Sequence, residues 1–221
     1  MLITLDSARV GRGAGAALPP TSLSFGTGKA VAIAVETEQR PTVLSLVASG
    51  RMKVDAGSVT PNDLRSRVAL IDTPLVAEPV AELRVRTIVA EEFAFAGRRD
   101  SVRKFLAERQ LSDFGNATMS SLPPIARLRL LVDLALLRPG IDALIFTSPE
   151  RHGGHPAEWW RVARETAARG LAVLVITDQA GVDAIAGLPG RNDDGKDDDG
   201  QADDGQDDGP DAVPHFESSR T

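Results

Sequence analysis

The residues whose types and spacing could do chemistry begin with Val35-Glu36-Thr37-Glu38-Gln39-Arg40-Pro41-Thr42. An apolar run, Ala30 to Val35, leads into this stretch, and an apolar segment from Thr42 to Ser49 leads out of it and stops at Gly50. Proline suits the first position of a helix and glycine the position just past its end, so the order is strand, loop, helix. That is the frame in which a G-x-x-x-x-G-K-[ST] loop binds phosphate: glycines let backbone N–H groups approach the oxygens, and a lysine reaches the outer phosphates. The loop here has neither glycine nor lysine. Glu36 and Glu38 place negative charge at a helix N-terminus that otherwise favours anions. Thr42 keeps a residue type that could bind Mg²⁺, and Arg40 could meet an anion, but the loop reads more simply as a surface connection that binds nothing.

Other candidates are sparser. His152 and His155 flank Gly153-Gly154 and read as part of an ordinary polar turn, with no metal expected; sharing a metal, the alternative, would need a third ligand such as Glu150 or Glu158. Trp159 and Trp160 are adjacent on a helix and so point about 100° apart, one toward the core and one toward the surface, where it could mark an interface. Arg98, Arg99, Arg103, Lys104 and Arg109 read as a solvated helix face. Phe105 is the one aromatic among them, so the stacking platform that nucleic acid needs is missing, and no nucleic-acid partner is expected.

Charge divides the chain. The net charge is −6, but residues 191–221 hold ten Asp and one Glu against Arg191, Lys196 and Arg220, a net of −8, which leaves the body at +2. Asp-Asp-Gly recurs through this tail with almost no apolar residues, so ordering it could not be offset by burial, and it is expected to be disordered. None of its repeats completes a calcium loop, because a ligand position falls each time on Gly, Ala or Gln. Cysteine is absent, which excludes disulfide and thiolate chemistry. No apolar run nears the ~18 residues of a membrane span, and the first 30 residues show no signal-peptide core, so the expected location is the cytosol, with no direct insertion in a membrane.

The elements that must position these residues follow from periodicity. Leu2 to Leu5 and Thr21 to Phe25 read as short antiparallel strands, and Ala30 to Val35 as a strand buried on both faces. Asp55 to Pro61 is a turn with a short edge piece, and Arg67 to Ile71 a second buried strand. Val80 to Ala96 and Ser101 to Leu111 have helical spacing, the latter with Asp100 as N-cap. The strongest helix runs from Pro123 to Arg138, with Ile125, Leu128, Leu131, Val132, Ala135 and Leu136 on its apolar face. Strands at Asp142 to Thr147 and Leu171 to Thr177 bracket a helix from Pro156 to Arg169, and a last helix lies near Val182 to Ala186. Strands alternating with helices predict an α/β domain over 1–190 with a mostly parallel sheet, a small antiparallel part and a helical section. Ligands in such sheets sit at the strands' carboxyl ends.

In order and spacing the chain resembles the ATP-binding subunit of an ABC transporter over residues 1–188. Leu23 to Val35 is similar to the strands before the family's Walker A loop, and Leu44 to Gly50 to the helix after it. Ala135-Leu-Leu-Arg-Pro139 with Asp142-Ala-Leu-Ile-Phe-Thr-Ser-Pro149 resembles its "ALL-x-x-P" helix end and Walker B strand. Gly170 to Thr177 resembles the strand before its switch histidine. The resemblance places the Walker A lysine on Pro41 and the loop glycines on Val35, Glu38 and Arg40, and the γ-phosphate-sensing glutamine near Asp72 or Thr73. It places the signature loop on Leu122-Pro123-Pro124-Ile125-Ala126, the Walker B aspartate and catalytic glutamate on Thr147 and Ser148, and the switch histidine on Asp178. The adenine-stacking aromatic has no counterpart near Arg9 to Gly13.

The fold is implied by this resemblance; the activity is not, since Mg²⁺ binding, water activation and phosphate positioning each need a residue that is missing. The favoured expectation is a non-hydrolysing subunit with no cofactor. It would dock on a transmembrane permease or pair with a related subunit, peripherally at the inner face of the membrane, through the helical section Leu75 to Leu111. One alternative is an ATP/Mg-dependent subunit with a non-standard site at Arg40, Thr42 and Asp178; another is a soluble scaffold or regulator with no link to transport.

Overall fold

The computed structural model describes residues 1–188. The Asp/Gly-rich stretch 191–221, expected to be disordered, lies outside the described residues. Four strands form a parallel sheet in the order β3-β7-β6-β5: β3 (Ala30–Ala34), β5 (Val68–Ile71), β6 (Ala143–Thr147) and β7 (Ala172–Thr177). Along β5, β6 and β7 every residue is buried. Successive side chains point to opposite faces of a sheet, so one apolar run supplies two cores.

Ala69, Ile71, Leu144, Phe146, Val173 and Val175 join one cluster with the helices. Val68, Leu70, Ala143, Ile145, Ala172, Leu174 and Ile176 join the other, with α1 (Arg40–Ala48) and the antiparallel strands. The first cluster is built on α2 (Val85–Phe95), α3 (Val102–Glu108), α4 (Pro124–Ala135) and α5 (Pro156–Ala168), with Ile185 of α6 (Gln179–Ala186). The antiparallel sheet has the order β2-β1-β4, from β1 (Leu2–Val10), β2 (Leu18–Gly26) and β4 (Ala56–Thr60).

Several expectations are corrected. β3 is half-buried throughout rather than enclosed on both faces, because it is the edge of its sheet and pairs with β7 alone. β1 and β2 are each nine residues long. Pro19 and Pro20 sit inside β2, an edge strand, where its pairing with β1 slips between Ala8↔Thr21 and Val10↔Leu18, so the ladder is interrupted where the two residues lack an N–H. Residues 80–84 are not helical: Leu83 O accepts from Met119 N, Ala81 O from Ser120 N, and Val85 N donates to Ala117 O, so this stretch pairs with 117–120 instead. The cap of α3 is Ser101, whose side chain accepts from Lys104 N, whereas Asp100 is engaged by Arg98. α4 is shorter at both ends than its apolar pattern implies.

One bulge fixes how β4 meets β1. The pairing slips between Asp6↔Ser58 and Arg9↔Ala56. Gly57 lies opposite this slip with φ +78, and a Cβ there would stand 2.3 Å from the carbonyl oxygens of Asp6 and Ser7. Gly57→Ala is therefore expected to cost about 3 kcal/mol through strain and overlap. Gly170→Ala, at a positive φ facing open space, should cost only about 1 kcal/mol. Urea midpoints of the two variants test this; equal losses would refute the role assigned to the bulge.

Candidate functional site

The carboxyl ends of the four parallel strands open onto one edge, where β3 runs into the loop 35–39, β5 into Asp72-Thr73, β6 into Ser148 and β7 into Asp178. Thr147, the last residue of β6, is 1% exposed. Its Oγ1 lies 2.7 Å from Ser45 Oγ on α1 and 2.8 Å from Thr73 Oγ1 beyond β5. Ser45 Oγ donates its own proton to the Pro41 carbonyl at 2.8 Å. A hydroxyl has one proton to donate, so the order is fixed: Thr73 donates to Thr147, Thr147 to Ser45, and Ser45 to the first turn of α1. The chain is neutral and buried.

In the loop above it two backbone amides are engaged. Val35 N donates to Thr177 O at 2.8 Å, and Arg40 N reaches Thr37 Oγ1 at 3.4 Å. Within 35–42 only Thr37 has a positive φ, +96. Glu36, Thr37, Glu38 and Gln39 are exposed, Arg40 and Thr42 half-buried, and Pro41 buried. Asp178 caps α6 by accepting from Gly181 N at 2.7 Å. Glu150 Oε2 accepts from Thr177 Oγ1 at 2.8 Å. Burial pushes the Glu150 carboxyl above its ordinary value; hydrogen bonds from its own backbone and Thr177 oppose this, and the nearby Asp178 charge adds to it. The residues predicted from the loop and from the ends of β6 and β7 thus stand at one edge.

The segment Leu122-Pro123-Pro124-Ile125-Ala126 serves to start α4. Pro123 is its N-cap, Pro124 opens it, Leu122 is core, and Ile125 and Ala126 are half-buried.

A second cluster, centred on Asp72, was not foreseen from the sequence beyond Asp72's position in the chain. Asp72 has φ +56 and is 5% exposed. Arg127 of α4 grips it with both arms, Nε to Oδ2 at 2.9 Å and Nη2 to Oδ1 at 2.7 Å, while Nη1 donates to Met119 O at 3.3 Å. His152 Nε2 stands 3.0 Å from Asp72 Oδ2. Arg151 Nη2 donates to Asp72 O at 2.8 Å, and its Nη1 pairs with Glu78 Oε1 at 3.2 Å.

Burial would raise the Asp72 carboxyl, but the approach of His152 and the hydrogen bonds and charge of Arg127 outweigh it and hold the group at about 2. Asp72, Glu78 and His152 each offer a ligand atom within 4.8 Å of the others. Two guanidinium groups already supply the positive charge there, so the cluster is an ion-pair network rather than a cation site. One signal for it was available: Arg127 lies on the buried face of α4 four residues before Leu131, and a charge on a core face requires a partner.

His152 and His155 do not come together as a metal pair. His155 Nδ1 accepts from Ala157 N, and Glu158 accepts from His155 N, making a capping box for α5. Of the tryptophans, Trp159 is core and Trp160 half-buried against it. In the basic set, Arg98 pairs with Asp100, and Arg109 stacks on Phe105 and bonds Asp133 Oδ2 at 2.7 Å.

No protein-family model and no curated protein matches the sequence. Solved structures do match the fold. The ATP-binding subunit of an ABC transporter superposes with a TM-score of 0.58 and 16% identity over 82% of this chain and 81% of that one. An ATP-binding protein described as a putative ABC transporter, from Pyrococcus furiosus, gives 0.61 at 11% identity over 81% and 92%. A dimeric bacterial ABC transporter cassette gives 0.59 at 16% identity over 81% and 89%. The chain has the fold of these ATP-binding cassettes.

Arg127→Met should destabilise the protein by about 4 kcal/mol, because it leaves a buried carboxylate without its partner. The native pair also has a pH signature. A carboxyl held down at about 2 contributes stability that is fully present above the ordinary aspartate value of ~4 and is lost as pH falls through about 2. The difference in urea midpoint between the native protein and Asp72→Asn should therefore shrink across that interval; a difference independent of pH would contradict the assignment.

Proposed function

We propose that this chain is an ATP-binding-cassette-like subunit without phosphoryl-transfer activity, acting as a docking or regulatory partner of a membrane permease or a related subunit. The observation that carries this reading is the hydroxyl chain Thr73–Thr147–Ser45. It occupies the place where a nucleotide site on this fold would need Mg²⁺ ligands and an ionised acid. Neutral hydroxyls committed to one another present no negative charge to neutralise a dication and no base to activate water.

The loop agrees with it. Its Val35 N–H is bonded to β7, the Arg40 N–H approaches Thr37, and Glu36 and Glu38 would repel phosphate. Asp178, which the ATPase alternative needs, is engaged as the cap of α6. The residues present do not fit Mg²⁺-ATP, and we assign no cofactor.

The docking half of the reading rests on the surface of the helical section and the segment leading into it. Leu75, Val76, Val80 and Phe95 are exposed large apolar residues, and Leu75 is fully exposed at a φ of +60. Docking through the helical section would bury these exposed apolar side chains. No helix among the described residues is long and apolar enough to cross a membrane, so membrane association would come through the partner. A cytoplasmic position at the inner face of the membrane follows from that reading.

Two measurements test the two halves separately. Phosphate release by the full chain with Mg²⁺-ATP should stay at the buffer rate and should not change in Thr42→Ala; turnover that falls at least tenfold in Thr42→Ala would establish the ATPase reading instead. At native expression level the chain should co-purify with a membrane protein, and Leu75→Asp with Val76→Asp should break that association. A chain that stays soluble and free of partners would favour the scaffold alternative.

A further inference from the structure

Among the described residues, Trp159 Nε1 and His152 Nε2 are buried polar atoms without a hydrogen-bond partner, and both residues line the same cavity. Trp159 of α5 is 1% exposed, and its indole Nε1 meets no acceptor among the described residues. His152 Nε2 is buried too; it lies 3.0 Å from Asp72 Oδ2 but without the alignment of a hydrogen bond. Both residues border a cavity of about 10 Å³ whose other polar walls are Asp72 and Arg127. An indole N–H buried with no acceptor costs on the order of 1–3 kcal/mol, so a native core seldom leaves one in place.

We propose that this cavity is a binding site for one structural water that accepts from Trp159 Nε1–H and donates to the Asp72 carboxylate, with His152 Nε2 as its third partner. Chemistry and size select water over other occupants. A cavity of this volume has room for about one water-sized sphere, and a water held by two to four polar partners is the normal occupant of a polar internal cavity. The partner count fits: an ionised carboxylate has about four lone-pair sites, of which Arg127 takes one on each oxygen, leaving room for a proton from water. A metal ion is disfavoured by the Arg127 guanidinium on both carboxylate oxygens, and a larger anion has neither the space nor a free cation.

The water would extend the Asp72–Arg127 pair to a third element, so that α4, the turn 149–152 and α5 meet through one polar centre. It would also set the orientation of His152, which lacks an aligned partner of its own. This inference goes beyond the docking reading and holds whether or not the protein meets a permease.

The test is an NMR measurement on the full chain with ¹⁵N-labelled tryptophan, in which Trp160→Phe assigns the two indole signals. The Trp159 indole proton should show a direct cross-relaxation peak to water, of the sign that distinguishes a bound water from proton exchange. A Trp159 indole proton without a water contact would overturn the proposal. A high-resolution crystal structure gives an independent reading: a density peak about 3 Å from both Trp159 Nε1 and an Asp72 oxygen supports it, and a protein acceptor at that distance from Nε1 contradicts it.

Discussion

The ion pair between Asp72 and Arg127 is the constraint on which the arrangement of the two halves of the domain depends. Asp72 leaves the sheet at the end of β5 in a left-handed conformation that an aspartate adopts only with local support. Arg127 brings α4 to it, and through Met119 O also holds the turn before that helix. Because both charges are buried, the pair does not add stability simply by existing; its geometry specifies which helix meets which strand end, since any other placement would strand a charge out of water. Arg151 and His152 then fold the segment after β6 onto the same carboxylate. The helical section and the parallel sheet are joined there by polar contacts as well as by the shared apolar cluster.

The same economy governs the edge where the strands end. In a sheet of this kind the carboxyl ends carry a ligand site because backbone and side-chain groups point outward with free valences. Here some of those valences are taken up internally: three hydroxyls bond one another, a loop N–H bonds the neighbouring strand, and an aspartate caps the following helix. Folding demands only that buried polar groups be satisfied, and it is indifferent to whether a ligand or the protein satisfies them. The cassette fold is accordingly shared at 11–16% identity with solved ATP-binding cassettes.

The sheet was legible in the sequence because β5, β6 and β7 are unbroken apolar runs, and the pattern of a doubly covered parallel strand has few other readings. β3 has the same apolar pattern but lies at the edge, and strand order is a property of the whole chain that no local run encodes. Residues 80–84 looked helical because Val80 and Leu83 fit the spacing, yet their backbone groups found partners at 117–120. At the candidate site, the composition of the loop 35–42 is plain from residue types alone: no glycine, no lysine, two glutamates. The hydroxyl chain is not, because Ser45, Thr73 and Thr147 are common residues far apart in sequence, and their meaning comes from distances of 2.7 and 2.8 Å. Arg127 stood in plain view as a charge on an apolar helix face, but its partner, 55 residues away, had to be seen.

The central claim is that the strand-end edge is chemically closed to nucleotide. Calorimetric titration of the full chain with Mg²⁺-ATP at millimolar concentration tests it most directly. The account predicts no binding heat. Saturable binding tighter than about 100 μM, equivalent to roughly −5.5 kcal/mol, would contradict it and would mean that the loop 35–42 is organised around a phosphate after all.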